Sequence, residues 1–205
     1  MQYEICSIRA FSDADYERMY QTASPDRKQK ADRFRFPDDR ARCLCADHLA
    51  RQMLSRASGM PLEQITFEYG EKGKPSANLP LYFNLSHSAD LVLCAVSERP
   101  IGVDVEQIKP FRAGLVDRFF SKTEADYILG GMPEIPECIS DPVVCSRFYR
   151  VWTAKEAYVK MTGTGISTDL KQICYDPLRE TVCGLPLFCP DAPEGYVISI
   201  LESNP

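Results

Sequence analysis

Apolar and polar residues alternate from Met1 to Ile8, the two-residue period of a half-buried strand. Asp13 to Gln21 follows as a short helix. Ser24-Pro25-Asp26 opens another, with Ser as N-cap and Pro at the first helical position, and Phe36-Pro37 breaks it. The pattern predicts a longer helix over 38–58, stopped by Gly59 and Pro61, then a strand over 65–69 and a turn-rich loop over 70–80. Leu81 to Leu85 and Leu91 to Val96 read as strands joined by a turn at 86–90. Ser121-Lys122-Thr123-Glu124 has the form of a capping box that starts a helix through Leu129, which gives Glu124 a structural explanation. The stretch 130–144 reads as loop, Arg147 to Met161 as helix with Gly163 as its cap, and strands are expected near 173–175 and 195–201. These runs predict an α+β protein of two comparable halves, 1–100 and 101–205.

Two segments stand apart chemically. Gly102-Val103-Asp104-Val105-Glu106 has strand periodicity, so both carboxylates share one face, roughly 6.6 Å apart along the chain, with the valines on the other. In the helix over 147–161, Trp152, Glu156 and Lys160 lie one turn apart on one stripe, and Val151, Ala154, Tyr158 and Met161 form an apolar one. If strand and helix face each other, three carboxylates converge beside one ammonium, and such a group calls for a cation. Hard oxygen donors suit Mg²⁺, which commonly takes one or two carboxylates and leaves room for substrate phosphates. The plainer alternatives are the wet face of an amphipathic strand and a surface i,i+4 pair worth about 0.3 kcal/mol. Against the first, Asp and Glu are poor strand residues.

With 205 residues, 44% hydrophobic and 26% charged, the chain has the composition of an ordinary globular protein. No apolar run approaches the roughly 20 residues of a membrane span, and the N-terminus lacks the pattern of a signal peptide. A cytoplasmic location and no membrane partner are expected. Nine cysteines, an odd number without a CxxC pair, exclude a recognisable zinc site and argue for free buried thiols instead of a secreted disulfide framework. A net charge of -5 argues against nucleic-acid binding. Within that acidic chain, Arg27, Lys28, Lys30, Arg33, Arg35, Arg40 and Arg42 crowd into one stretch, which reads either as a solvated helix face or as a local site for an anion.

Asn84-Leu85-Ser86-His87-Ser88, Gly102 to Glu106, and Trp152-Thr153-Ala154-Lys155-Glu156-Ala157-Tyr158-Val159-Lys160 occur in that order. Together they resemble the three signatures of 4′-phosphopantetheinyl transferases, in particular the surfactin-synthetase-activating type. Gly73-Lys74-Pro75 and Phe119-Phe120-Ser121-Lys122-Thr123-Glu124 extend the similarity, which covers roughly residues 24–170. The resemblance implies two α+β halves related by a pseudo-twofold, with coenzyme A in a cleft between them. It implies transfer of phosphopantetheine to a serine of an apo acyl or peptidyl carrier protein, with adenosine 3′,5′-bisphosphate released. By motif, Asp104, Glu106 and Glu156 would hold Mg²⁺ and Lys160 would lie near the pyrophosphate. Ser86 and His87 would contact phosphates, and Lys74 and Pro75 would line the nucleotide pocket. Basic residues among Arg27, Lys28, Lys30 and Arg42 would hold the 3′-phosphate.

Transfer of this kind needs charge neutralisation and a proton acceptor. Lys160 supplies the first, and Glu156 or Glu106 the second. No enzyme nucleophile is required, in keeping with the lack of a Ser-His-Asp or Cys-His set. The same carboxylates would also serve a Mg²⁺-dependent hydrolase of nucleotide pyrophosphates, and a non-catalytic coenzyme A or carrier-binding protein is the alternative from another class. A chain carrying both halves is expected to act as a monomer.

Overall fold

The computed structural model describes residues 1–70, 72–132, 134–165 and 169–204. Its contacts separate the chain into two compact units, Met1–Ile101 and Gly102–Pro205.

In the first unit, β1 (Gln2–Ser7) leads to α1 (Asp13–Thr22), α2 (Pro25–Asp32) and α3 (Pro37–Ser58). Ser24 caps α2 by accepting from the Arg27 amide, and α3 ends at Gly59 in the left-handed region, φ 74°. A side chain there would be strained, so glycine is the natural stop. The strands β2 (Phe67–Tyr69) and β3 (Pro75–Ala77) form a hairpin, and β4 (Tyr82–Ser88) and β5 (Leu91–Ser97) form a second. All pairing is antiparallel in the sheet β1-β5-β4. Every residue of β5 is buried, as a continuous apolar run at the centre of a sheet should be. α3 covers this sheet with Cys45, Leu49 and Met53 against Phe83, Val92, Cys94 and Val96.

The second unit contains β6 (Ile101–Gln107), β7 (Phe111–Arg112), α4 (Gly114–Phe119), α5 (Lys122–Leu129), β8 (Cys138–Ile139) and α6 (Pro142–Thr162). After these come β9 (Tyr175–Asp176), β10 (Thr181–Val182), β11 (Leu185–Phe188) and β12 (Tyr196–Glu202). The main sheet runs β6-β12-β11-β10-β9, and β7 pairs with β8. α6 is tied to β12 by a buried Thr153–Ser199 hydroxyl contact of 2.7 Å and by Arg150 Nη1 donating to the Ile198 carbonyl at 3.1 Å. An aromatic cluster backs the helix: Phe148 stacks on Phe111 at 3.9 Å and meets Phe120 edge-on, while Trp152 meets Phe119 edge-on at 5.3 Å.

Several boundaries differ from the sequence pattern. β4 continues through Ser88, so Ser86 and His87 are strand residues paired opposite Leu93 and Val92, and the turn shrinks to Ala89-Asp90. Polar side chains concealed that strand end. Part of the 70–80 loop is β3, held against β2 with Tyr69 opposite Pro75. Ile65 follows a single 3₁₀ turn over Leu62–Gln64, and the strand begins only at Phe67. α6 starts at Pro142, where Asp141 accepts from the amides of Val143 and Val144, so the end of the 130–144 stretch is helical. Pro133 of that stretch lies outside the described residues, as do residues 166–168 beyond Gly163.

One glycine governs how close β6 comes to α6. A Cβ on Gly102 would overlap the Ala157 carbonyl oxygen and the Met161 amide nitrogen, and would sit 2.8 Å from Met161 Cβ. Two of these neighbours are backbone and cannot rotate away. Gly102→Ala should therefore destabilise the protein by about 3 kcal/mol, at the upper end for overpacking, and lower Tm by at least about 6 °C. Gly114→Ala, where nothing lies within 4 Å of the new Cβ, is the control and should shift Tm little. Thermal unfolding followed by circular dichroism compares the two; equal shifts would remove the close approach as an explanation.

Candidate active site

Gly102, Asp104 and Glu106 alternate onto one face of β6. Asp104 is only 3% exposed, which disposes of the wet-face reading, and Glu106 is half-buried. Lys160 on α6 donates from Nζ to Asp104 Oδ1 at 2.6 Å. Glu156, one helical turn earlier, belongs to the same group. Burial raises its pKa most, and Asp104 and then Glu106 add to the rise while Lys160 opposes it. Strand and helix thus bring together the three carboxylates and the ammonium that the two sequence patterns singled out. Among the described residues, no three His, Cys, Asp or Glu side chains form a ready-made metal cage. Trp152, on the same helical stripe, packs into the aromatic cluster.

Lys155 does something its sequence position did not reveal. Its side chain is 0% exposed, and Nζ contacts Glu124 Oε2 at 2.5 Å and the Leu170 carbonyl at 2.9 Å. It also lies 5.1 Å from the centre of the Phe120 ring. Glu124 does complete the capping box, accepting from the Ser121 amide at 2.8 Å, but it also accepts from the Tyr175 amide at 2.9 Å. Capping alone therefore accounts for only part of its role. Lys155 faces neither water nor a ligand phosphate; it is the buried bolt between α6, α5 and the segment before β9. Helical spacing carried the signal, because Lys155 falls one turn after Val151 and one before Val159, both buried.

In the first unit the basic residues separate into distinct places. Arg27 is held by Asp47 at 3.1 Å, the Tyr69 hydroxyl at 2.6 Å and Cys43 Sγ at 3.6 Å. Asp47 is itself buried between Arg27 and Arg51, whose Nε reaches it at 2.9 Å. Arg27, Lys30, Arg51 and Tyr69 line a cavity of about 660 Å³ beside Ser24. Arg51, Asp47 and Tyr69 were missed by sequence reasoning, although the i,i+4 spacing of Asp47 and Arg51 on α3 hinted at the pair. Lys28 donates to the Gln21 carbonyl at 2.9 Å and lies over the Tyr20 ring. Arg42 donates to the Ala89 carbonyl at 2.6 Å, at the turn where β4 ends. On that strand Ser86 is buried and His87 exposed, and alternation puts them on opposite faces. Lys74 immediately precedes β3, whose first residue is Pro75, and burial lowers the pKa of Lys74.

The Glu124–Lys155 pair yields a direct test. Lys155→Met leaves a buried carboxylate without its cation and should cost about 3–5 kcal/mol. Adding Glu124→Gln removes the stranded charge and should recover part of that loss. Urea unfolding of the single and double variants measures both; a Lys155→Met cost within error of zero would show that the pair holds nothing.

A family model described as the 4′-phosphopantetheinyl transferase superfamily matches residues 100–200, and one described as 4′-phosphopantetheinyl transferase, N-terminal, matches residues 10–99. The chain is 38% identical over 156 residues to 4′-phosphopantetheinyl transferase psf-1 of Bacillus pumilus, covering 75% of this chain and 64% of that protein. Against 4′-phosphopantetheinyl transferase Sfp of Bacillus subtilis strain 168 the identity is 36% over 171 residues, covering 82% and 72%. Against 4′-phosphopantetheinyl transferase HetI of a Nostoc species it is 38% over 154 residues, covering 71% and 62%. The chain thus spans somewhat under two-thirds to somewhat over two-thirds of the length of these relatives. With family models matched over residues 10–99 and 100–200 and relatives at 36–38% identity, the chain belongs to the 4′-phosphopantetheinyl transferase superfamily, alongside the surfactin-activating type.

Proposed function

We propose that this chain transfers the 4′-phosphopantetheine arm of coenzyme A to a serine of an apo acyl or peptidyl carrier protein, releasing adenosine 3′,5′-bisphosphate. The observation that carries the reading is the grouping of Asp104, Glu106, Glu156 and Lys160 on facing sides of β6 and α6. The relatives' names support it and give no support to a pyrophosphate hydrolase or an idle binding protein. The finer parts of the same proposal are a pseudo-twofold relation between an N-terminal half (1–100) and a C-terminal half (101–205), a coenzyme A cleft, a monomeric state and a cytoplasmic location. Among the described residues no helix is long and apolar enough to cross a membrane.

The donor set fits Mg²⁺. Its oxygens are carboxylates, and Mg²⁺ is usually held by one or two of them together with waters and substrate phosphates, so a complete protein cage is not needed. Asp104, Glu106 and Glu156 are the residues that would hold it, and when bound it supplies charge neutralisation and orientation of the pyrophosphate. The chain's own residues do the rest. Lys160 offsets charge on the pyrophosphate. Glu156 or Glu106 takes the proton from the carrier serine as its oxygen attacks the β-phosphorus. Ser86 and His87 contact phosphates of coenzyme A, and Lys74 and Pro75 line the nucleotide pocket. For the 3′-phosphate, Arg27 and Lys30 share one cavity and Arg42 stands at the end of β4. Arg27, Arg42 and Lys28 each already hold partners, Arg27 at Asp47 and Tyr69, Arg42 at Asp39 and the Ala89 carbonyl, and Lys28 at the Gln21 carbonyl, so engagement does not separate these candidates for the 3′-phosphate.

Intact-protein mass spectrometry of apo carrier proteins incubated with the chain, coenzyme A and Mg²⁺ tests the proposal. One phosphopantetheine should be gained on a carrier, and the gain should disappear with EDTA. Cleavage of coenzyme A with no carrier modified would overturn it in favour of hydrolysis. Glu156→Gln should lose transfer by about 10² or more, the usual contribution of a general base, while coenzyme A affinity by calorimetry stays within a few fold. Full activity in that variant removes Glu156 from the mechanism.

A further inference from the structure

Two thiols in the first unit touch. Cys6 on β1 and Cys45 on α3 are 39 positions apart, yet their sulfurs lie 3.0 Å from each other. Cys6 is half-buried, while Cys45 is buried at 1% exposure in the layer between α3 and the sheet. A disulfide bond is about 2.05 Å long, so the sulfurs need approach by only about 1 Å. Elements that are already packed hold them there. α3 presents Cys45 to the sheet, and Glu4, on the same face of β1 as Cys6, reaches Arg56 on α3 at 2.6 Å.

We propose that Cys6 and Cys45 form an oxidisable dithiol, a modification site that closes to an intramolecular disulfide when a small disulfide oxidant such as oxidised glutathione is present. The proposal is independent of the transfer reaction. The two sulfurs are suited to different parts in it. A hydrogen bond from Cys45 lowers the Cys6 pKa, and the same contact, with burial, pushes Cys45 up. Cys6, the more accessible, attacks as thiolate on one sulfur of oxidised glutathione; a new S–S bond forms and one glutathione thiolate leaves. Cys45 then gives up its proton and displaces the second glutathione from Cys6. In sum, two protein thiols are oxidised to one disulfide, and one oxidised glutathione is reduced to two thiols.

The closed loop would enclose α1, α2 and the start of α3, and with them Arg27, Lys30 and Arg42. A bond present only under oxidising conditions is the usual form of disulfide in a reducing compartment, where stable structural disulfides are rare. Its main effect is on the unfolded chain, whose entropy the link reduces.

The test is to incubate the purified full chain with oxidised glutathione, alkylate remaining thiols without reduction, and map peptides by mass spectrometry. A Cys6–Cys45 cross-linked peptide is expected, reversible by dithiothreitol, with Tm raised by about 5 °C or more. Cys6→Ser and Cys45→Ser should lose both the peptide and the shift. Cys138→Ser, which removes an exposed thiol, should keep both. The proposal is overturned if Cys6 and Cys45 are both recovered alkylated, or if glutathione accumulates on Cys6 with no link to Cys45. Should the serine variants fail to fold, the wild-type peptide map alone decides.

Discussion

The missing side chain at Gly102 sets the distance on which the candidate active site depends. Residues 102, 104 and 106 share a face of β6, so the position that lets the strand approach α6 also fixes where the two carboxylates point. The approach is to the backbone of Ala157 and Met161, which flank Lys160 and follow Glu156 on the helix. Asp104 and Lys160 then meet at 2.6 Å without either leaving its own element. A larger residue at 102 would widen the whole seam, because neither a helix backbone nor a strand backbone can give way locally. The contact between Asp104 and Lys160 is thus set by packing at 102.

α6 carries two lysine–carboxylate pairs with different physical roles. Lys155–Glu124 is dry, at 0% and 1% exposure, and each partner also bonds main-chain groups, so the pair is closed off from any ligand by burial. Lys160–Asp104 is wetter, with 29% of the lysine side chain exposed, and its ammonium can exchange partners at modest desolvation cost. Neighbours along the helix are turned about 100° apart, so Lys155 and Glu156 face opposite tasks from adjacent positions. One lysine anchors the helix to α5; the following turn is left for chemistry.

Much of this was legible in the sequence because it rests on short-range rules. The Ser24 cap with Pro25, the Gly59 and Gly163 stops, the Ser121–Glu124 capping box and the alternation of 102–106 are local, and the structure carries all of them. What escaped depends on distant partners. Whether Ser86 and His87 extend a strand is decided by the Leu91–Leu93 backbone opposite, since their own side chains suggest a turn. Burial of Lys155 requires Glu124, 31 residues earlier, and Asp47 is buried only because Arg27 and Arg51 close on it from two helices. A basic run looks uniform along the chain, yet folding gives Arg27, Lys28 and Arg42 three different environments. Resemblance to a family located the motif residues but carried no information about these particular pairings.

Charge balance then limits how the proposed reaction can run. Asp104, Glu106 and Glu156 against Lys160 amount to three carboxylates and one ammonium, an excess of two negative charges when all are ionised. Burial is the main cause of the raised Glu156 pKa, and the neighbouring Asp104 and Glu106 charges add to it. A pyrophosphate entering here adds further negative charge, and Lys160 cannot serve it fully while neutralising Asp104. Were a divalent cation held by Asp104, it would supply the positive charge there that Lys160 now supplies. In the proposed reaction Lys160 and a divalent ion would therefore be coupled contributors, because the carboxylate proposed to bind the ion is the one that now holds the lysine.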